Sequence, residues 1–175
     1  MHILNSLLWT LALVAATPTV GDPAPDFTLQ DWQGKTVRLS EETGQSRVVL
    51  IVLRGFPGYQ CPVCNRQVQD FLKQAPAFRE AGARVLFVYP GPMDNLNAKA
   101  AEFLKDKSLP DHFRLALDPG YEVTQLYGLR WDAPKETAYP STFILNQAGK
   151  VTFAKISRSH GGRTTPEEIL AHLKR

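Results

Sequence analysis

The sequence predicts an α/β fold: a central mixed sheet flanked by helices, with a β-hairpin extension on the N-terminal side. Three observations predict it. The run Val48-Val49-Leu50-Ile51-Val52-Leu53 is continuously apolar and β-branched, as in a central parallel strand covered on both faces. A second such run, Val85-Leu86-Phe87-Val88-Tyr89, is separated from it by a helical pattern, which makes a βαβ unit. Towards the C-terminus two β-rich segments joined by Gln147-Ala148-Gly149 read as a hairpin. At 175 residues the chain is long enough for one well-filled core and short for two.

The elements follow in order. After a Pro-rich lead, Asp22-Pro23-Ala24-Pro25, residues 27–39 alternate Phe27, Leu29 and then Val37, Leu39 around Trp32-Gln33-Gly34, a hairpin pattern. The central strand runs into Arg54-Gly55-Phe56-Pro57-Gly58-Tyr59-Gln60, where two glycines and a proline reverse the chain. A helix opens at Pro62 with Val68, Phe71, Leu72, Ala75 and Phe78 at helical spacing, and Pro76 should kink or end it. The second strand passes through Pro90-Gly91-Pro92 to a helix bearing Leu96, Ala100, Phe103 and Leu104. A short strand near Leu115-Ala116-Leu117 precedes a helix with Asp118 as its cap and Pro119 at its first position, carrying Val123, Leu126 and Tyr127 and stopped by Gly128. The hairpin over residues 141–146 and 150–156 follows. The last helix opens with Thr165-Pro166-Glu167-Glu168, a capping box with proline at the first position.

The chemistry concentrates in one tetrapeptide, Cys61-Pro62-Val63-Cys64, which holds both cysteines of the chain. Pro62 suits the first helical position, so Cys61 falls at the N-cap and Cys64 in the first turn. Both sulfurs then lie near unpaired amides and the positive end of the helix dipole, where thiol pKa values fall from about 8.5 to roughly 3.5–7.5. Between Thr43 and Gln69 the chain carries Arg47, Arg54 and Arg66 and no carboxylate, so a thiolate meets no nearby repulsion along the sequence. Such a pair performs redox chemistry or supplies two thiolates to a metal. A structural zinc site needs four ligands, and there is no second cysteine pair; His2, His112, His160 and His172 have no ligand-like spacing. The reading therefore calls for no metal and no bound cofactor. A purely structural role also fits badly, because so short a loop restricts the unfolded chain little.

Lys and Arg are scattered and the net charge is only +3, which gives no footprint for nucleic acid. Residues 1–16 form an apolar stretch ending in Val14-Ala15-Ala16 and read as a secretory signal peptide, although the n-region holds His2 and no Lys or Arg. The expected domain then spans residues 17–175, exported to a periplasmic or extracellular compartment, with membrane contact only if the leader stays uncleaved. There a thiol pair needs a dedicated reductant to cycle.

The order of elements, with a cysteine pair opening the first long helix, resembles the thioredoxin fold. More closely the chain resembles the alkyl hydroperoxide reductase and thiol-specific antioxidant group, the peroxiredoxin-like redoxins. The matching residues are Gly21-Asp22-Pro23-Ala24-Pro25-Asp26-Phe27-Thr28-Leu29, Arg54-Gly55 through Cys64-Asn65, Leu117-Asp118-Pro119 with Tyr127-Gly128-Leu129, and Pro140-Ser141-Thr142-Phe143-Ile144-Leu145 with Gly149-Lys150-Val151. Pro57 and Cys64 reproduce the two ends of that group's Pro-x-x-x-Thr-x-x-Cys motif. Cys61 takes the threonine position, and Pro140 stands where many peroxiredoxins place an arginine and thioredoxins a proline facing the cysteines. Both departures move the site towards thioredoxin.

The resemblance implies an enzyme with Cys61 and Cys64 as catalytic residues and Tyr139, Pro140 and Arg54 facing the substrate. In one implied mechanism Cys64 attacks a hydroperoxide and Cys61 resolves the sulfenic acid as a disulfide. In another, Cys61 attacks a substrate disulfide and Cys64 resolves the mixed disulfide. Either needs a thiol reductant such as a thioredoxin-like protein. A non-enzymatic reading, copper delivery by the two cysteines and His160, follows from a related exported group.

Overall fold

The computed structural model describes residues 16–175, so the expected leader lies outside the described residues except for Ala16. The described chain forms a seven-stranded sheet in the order β2-β1-β5-β4-β3-β6-β7. In chain order the elements are β1 (Thr28–Asp31), β2 (Thr36–Arg38), α1 (Leu39–Gln45), β3 (Arg47–Val52), α2 (Pro62–Lys73), α3 (Ala75–Glu80), β4 (Ala83–Gly91), α4 (Leu96–Leu104), β5 (Phe113–Pro119), α5 (Glu122–Leu126), β6 (Ser141–Leu145), β7 (Val151–Ile156) and α6 (Pro166–Leu173). β3, β4 and β5 run parallel; β6 is antiparallel to β3, and the hairpin β1–β2 adds antiparallel to β5. This is the thioredoxin-like mixed sheet with the N-terminal hairpin that the sequence predicts.

The alternation of a strand explains why residues 48–53 are apolar without a break. Val49, Ile51 and Leu53 face one layer, where Val68 and Phe71 of α2, Phe78 of α3, Phe103 of α4 and Ile169 of α6 close over them. Val48, Leu50 and Val52 face the other, with Phe27, Val37, Leu39, Val123, Tyr127 and Phe143. Both layers exclude water from the strand, so neither set of side chains can be polar. Phe71 and Phe78 stack with ring centroids 5.3 Å apart, joining α2 to α3 across the break that Pro76 imposes.

Two expectations need correction. Residues 39–45 form a helix, α1, where the pattern placed Leu39 at the end of a strand and marked no element after it. The cause is distant: Asp26 accepts hydrogen bonds from the backbone N–H of Ser40 at 2.9 Å and its hydroxyl at 2.8 Å, capping that helix from 14 residues away. The helix expected to begin at Pro119 begins instead at Glu122, and Pro119 ends β5. Asp118 does receive the N–H groups of Val123 and Thr124, at 3.0 and 2.9 Å, but Gly120 and Tyr121 lie between in left-handed conformations. Burial pushes the Asp118 carboxyl up, and the hydrogen bonds from Thr124 and Val123 offset only part of that.

The turn leaving β3 is set by one glycine. Gly55 has φ 72°, and a Cβ there would run into the backbone carbonyl of Pro90 at the end of β4. That carbonyl accepts from Phe56 N–H at 2.8 Å, so the approach fastens the turn to the sheet. Gly55→Ala combines left-handed strain with a backbone collision. It is expected to lower stability by about 2 kcal/mol or more, measured by urea unfolding.

Candidate active site

β3 delivers the chain to the carboxyl edge of the parallel strands, and the turn through Gly55 and Gly58 brings it back into α2. Cys61 is the N-cap, in extended conformation, and Pro62 occupies the first turn. The Cys61 sulfur accepts the Cys64 N–H at 3.2 Å, taking the place a serine or aspartate oxygen usually fills. Cys61 and Cys64 are joined as a disulfide with Cα atoms 5.2 Å apart. Cys61 is 2% exposed and Cys64 0%, so the pair lies just beneath the surface. The spacing closes because one helical turn separates the two residues, and it can reopen without shifting any strand.

Arg54, the second residue past the strand, is buried at 4% exposure. Its Nε donates to Glu136 at 2.6 Å, Nη1 to the Tyr59 hydroxyl at 2.8 Å and Nη2 to the Lys135 carbonyl at 2.7 Å. Thr137 adds a hydroxyl bond to the Arg54 carbonyl. The segment 135–137 is thus strapped to the exit of the central strand. Burial disfavours the Arg54 charge, but the bonds to Glu136 and Tyr59 outweigh it and hold the guanidinium more firmly protonated than usual. Burial likewise works against the Glu136 charge; Arg54 and His160 outweigh it and hold the carboxyl below its ordinary value.

Pro140 precedes Ser141, whose partner in the sheet is Val52, the last residue of β3. This register puts Tyr139 and Pro140 at the sheet edge from which the chain leaves for the cysteines. The Tyr139–Pro140 bond is trans, and the Pro140 carbonyl accepts from Ser157 N–H at 2.8 Å. Tyr139 is half-buried, stacked on Trp131 at 4.8 Å with the Arg158 guanidinium 4.8 Å from its ring centre. His160 lies 2.8 Å from Glu136 and tilts against Trp131 at 5.2 Å, so its ring serves that cluster and not the cysteines. Arg66 is exposed on α2. Among the described residues no group of three or more His, Cys, Asp or Glu side chains could hold a metal ion.

Several contributors escape sequence reasoning. Arg163, in the segment leading to α6, donates from Nη1 to Cys64 Sγ at 3.3 Å and to Gln67 at 3.2 Å, and from Nε to the His160 carbonyl at 3.0 Å. Burial, with a smaller push from the Arg54 charge, brings its pKa down to about 10. Gln67 sits three residues after Cys64 and could be placed by helical spacing. Arg163, Glu136, Thr137 and Trp131 carry no such local mark.

The Arg54–Glu136 pair generates two expected outcomes. Glu136→Gln leaves a buried guanidinium without its counter-charge and should cost about 3 kcal/mol in urea unfolding. In the parent chain the lowered Glu136 pKa contributes stability in full above the ordinary carboxylate range, and this is lost as pH falls through and below it. The acid-side decline in melting temperature should therefore be shallower in Glu136→Gln.

Comparison with known proteins agrees with this geometry. The AhpC/TSA family pattern matches residues 20–154. Peroxiredoxin Q, chloroplastic, of Oryza sativa subsp. japonica is 30% identical over 141 residues, covering 81% of this chain; the chain spans 60% of that relative's length. The thiol-disulfide oxidoreductase ResA of Bacillus thuringiensis subsp. konkukian is 24% identical over 156 residues, 89% of this chain and 78% of the relative. The crystal structure of peroxidoxin BcpB from Mycobacterium tuberculosis shares the fold, with a TM-score of 0.69 at 23% identity over 90% of this chain and 97% of that one. With the family pattern covering most of its length and the cysteine pair at the start of α2, the chain belongs to the AhpC/TSA family.

Proposed function

We propose that this protein is an antioxidant thiol oxidoreductase that reduces hydroperoxides by cycling Cys61 and Cys64 between dithiol and disulfide. The observation that carries the reading is the disulfide-bonded pair at the amino end of α2, with one sulfur as the helix cap. Family membership and the peroxiredoxin relative support it. In the first step the Cys64 thiolate attacks one peroxide oxygen, the O–O bond breaks, and an alcohol or water leaves after taking up a proton. The Cys61 thiol then attacks the sulfenic sulfur, water departs, and the disulfide forms. A thiol reductant such as a thioredoxin-like protein restores the dithiol at the expense of its own. In this reading Tyr139 and Pro140, at the end of β6 next to the exit of β3, face the substrate, and Arg54 holds the adjoining segment 135–137 in place.

A second reading, exchange with protein disulfides, is favoured by one specific feature: Cys61 stands where the family's peroxide motif has threonine. The ResA relative supports it. Export of the chain through the leader at residues 1–16 is part of the same proposal, since it sets the compartment that supplies the reductant.

Stopped-flow mixing of the reduced protein with hydrogen peroxide should oxidise the pair far faster than free cysteine, and Cys64→Ser should abolish the reaction; oxidation at the rate of free cysteine overturns the peroxidase reading. Under the second reading Cys64→Ser accumulates a mixed disulfide with a client protein through Cys61, seen on non-reducing gels. N-terminal sequencing of the exported protein should begin near Thr17.

A further inference from the structure

Cys61 is held from its C-terminal side by the helix it caps, but Pro57, Gly58, Tyr59 and Gln60 before it make no backbone–backbone hydrogen bond among the described residues. The last such bond ahead of the cysteine runs from Phe56 N–H to the Pro90 carbonyl, at 2.8 Å. Side chains do what the backbone leaves undone. Arg54 holds the Tyr59 hydroxyl, and Gln60, the residue next to Cys61, is bound at both ends of its amide. Its Nε2 donates to the Lys99 carbonyl of α4 at 2.9 Å, and its Oε1 accepts from the Tyr89 hydroxyl of β4 at 2.9 Å.

A carbonyl can only accept, so the Lys99 contact fixes which end of the amide is which, and Tyr89 must be the donor. Tyr89 is fully buried with its ring 5.1 Å from that of Phe103, so packing holds the phenol in place. Burial, with a smaller push from the Glu102 charge, moves its pKa up and keeps the proton on the hydroxyl. Neither an apolar side chain of the same length nor a carboxylate, which cannot donate to Lys99, would make this bridge. We propose that the Tyr89–Gln60–Lys99 bridge positions Cys61, keeping its sulfur opposite Cys64 in the dithiol and so setting how strongly the pair closes into a disulfide. Gln60 acts through the backbone of Cys61, and Tyr89 acts through Gln60; both are positioning residues. This rests on the redox reading of the pair but on neither of its two substrates.

Closure of two thiols into a disulfide depends on the effective concentration of one at the other. In the dithiol no bond joins the sulfurs, and a lead segment without backbone hydrogen bonds lets Cys61 wander unless a side chain anchors it. The bridge removes that freedom before the sulfur–sulfur bond forms, so closure costs less entropy. The redox step itself balances without the bridge: the disulfide takes two electrons and two protons from a dithiol, which becomes a disulfide in turn. Gln60 and Tyr89 transfer nothing and change only the position of that equilibrium.

The test equilibrates the full chain with mixtures of reduced and oxidised dithiothreitol at neutral pH, quenches in acid, and counts dithiol and disulfide by maleimide labelling and mass spectrometry. Gln60→Met, of similar length without the amide, should favour the dithiol about tenfold, a potential about 30 mV less negative. Tyr89→Phe, which removes one hydroxyl and keeps the core filled, should shift the equilibrium about threefold in the same direction. The two together should shift it no further than Gln60→Met alone, because the tyrosine acts through the glutamine. As a control, Phe27→Leu in the opposite core layer should lower stability in urea and leave the equilibrium where it was. An unchanged or reversed equilibrium in Gln60→Met and Tyr89→Phe overturns the proposal, as do additive shifts in the double variant or an equal shift in Phe27→Leu. Should Gln60→Met fail to fold, Tyr89→Phe decides alone. No peroxide or client protein enters the measurement: a parent pair that never reduces defeats the redox reading, whereas a parent that cycles beside indifferent variants defeats the bridge.

Discussion

A single backbone amide, the N–H of Cys64, points at the sulfur of Cys61, and the geometry of the site depends on that contact. A helix start normally leaves its first amides to water or to an oxygen cap. Here sulfur takes that place, which requires Cys61 to be extended, Pro62 to begin the helix and Cys64 to follow one turn later. The buried strand β3 and the Gly55 turn fix where this start can lie, because α2 must also set Val68 and Phe71 on the sheet. Packing and chemistry thus specify the same residues, and the cysteines cannot drift without loss of core contacts.

Around the pair two arginines, Arg54 buried and Arg163 half-buried, are accommodated in opposite ways. Arg54 spends its donors on Glu136, Lys135 and Tyr59 and so binds a loop to the strand. Its charge is matched, and its role in the folded chain is that of a clamp. Arg163 lacks such a match in the oxidised state and is held by neutral acceptors. The repulsion between the two cations adds to the burial of the second.

The parts of this structure legible in the sequence are those whose cause is local. Residues 48–53 read as a doubly covered strand because both faces must be apolar, and Pro62 after Cys61 announces a helix start by its own geometry. The βαβ order and the C-terminal hairpin follow in the same way. What escapes has a distant cause. Helix α1 depends on Asp26, and the start of α5 depends on a carboxylate that reaches over Gly120 and Tyr121. Arg163 meets Cys64 across 99 residues, and the donors of Arg54 are filled by residues 81 and 82 positions further on. Periodicity carries no signal for such pairs, since each side chain alone is an ordinary polar residue of a loop.

Trp131 is placed where the segment bearing Tyr139 and Pro140 meets the His160 loop, stacked on one ring and tilted against another. That makes the indole an intrinsic optical gauge of the neighbourhood. Because the loop holding it is tethered to Arg54, and the His160 carbonyl accepts from the arginine that touches Cys64, the indole is linked by hydrogen bonds to the surroundings of the sulfurs, where its emission can be followed with no dye attached. The molecule carries its own means of being watched while it turns over.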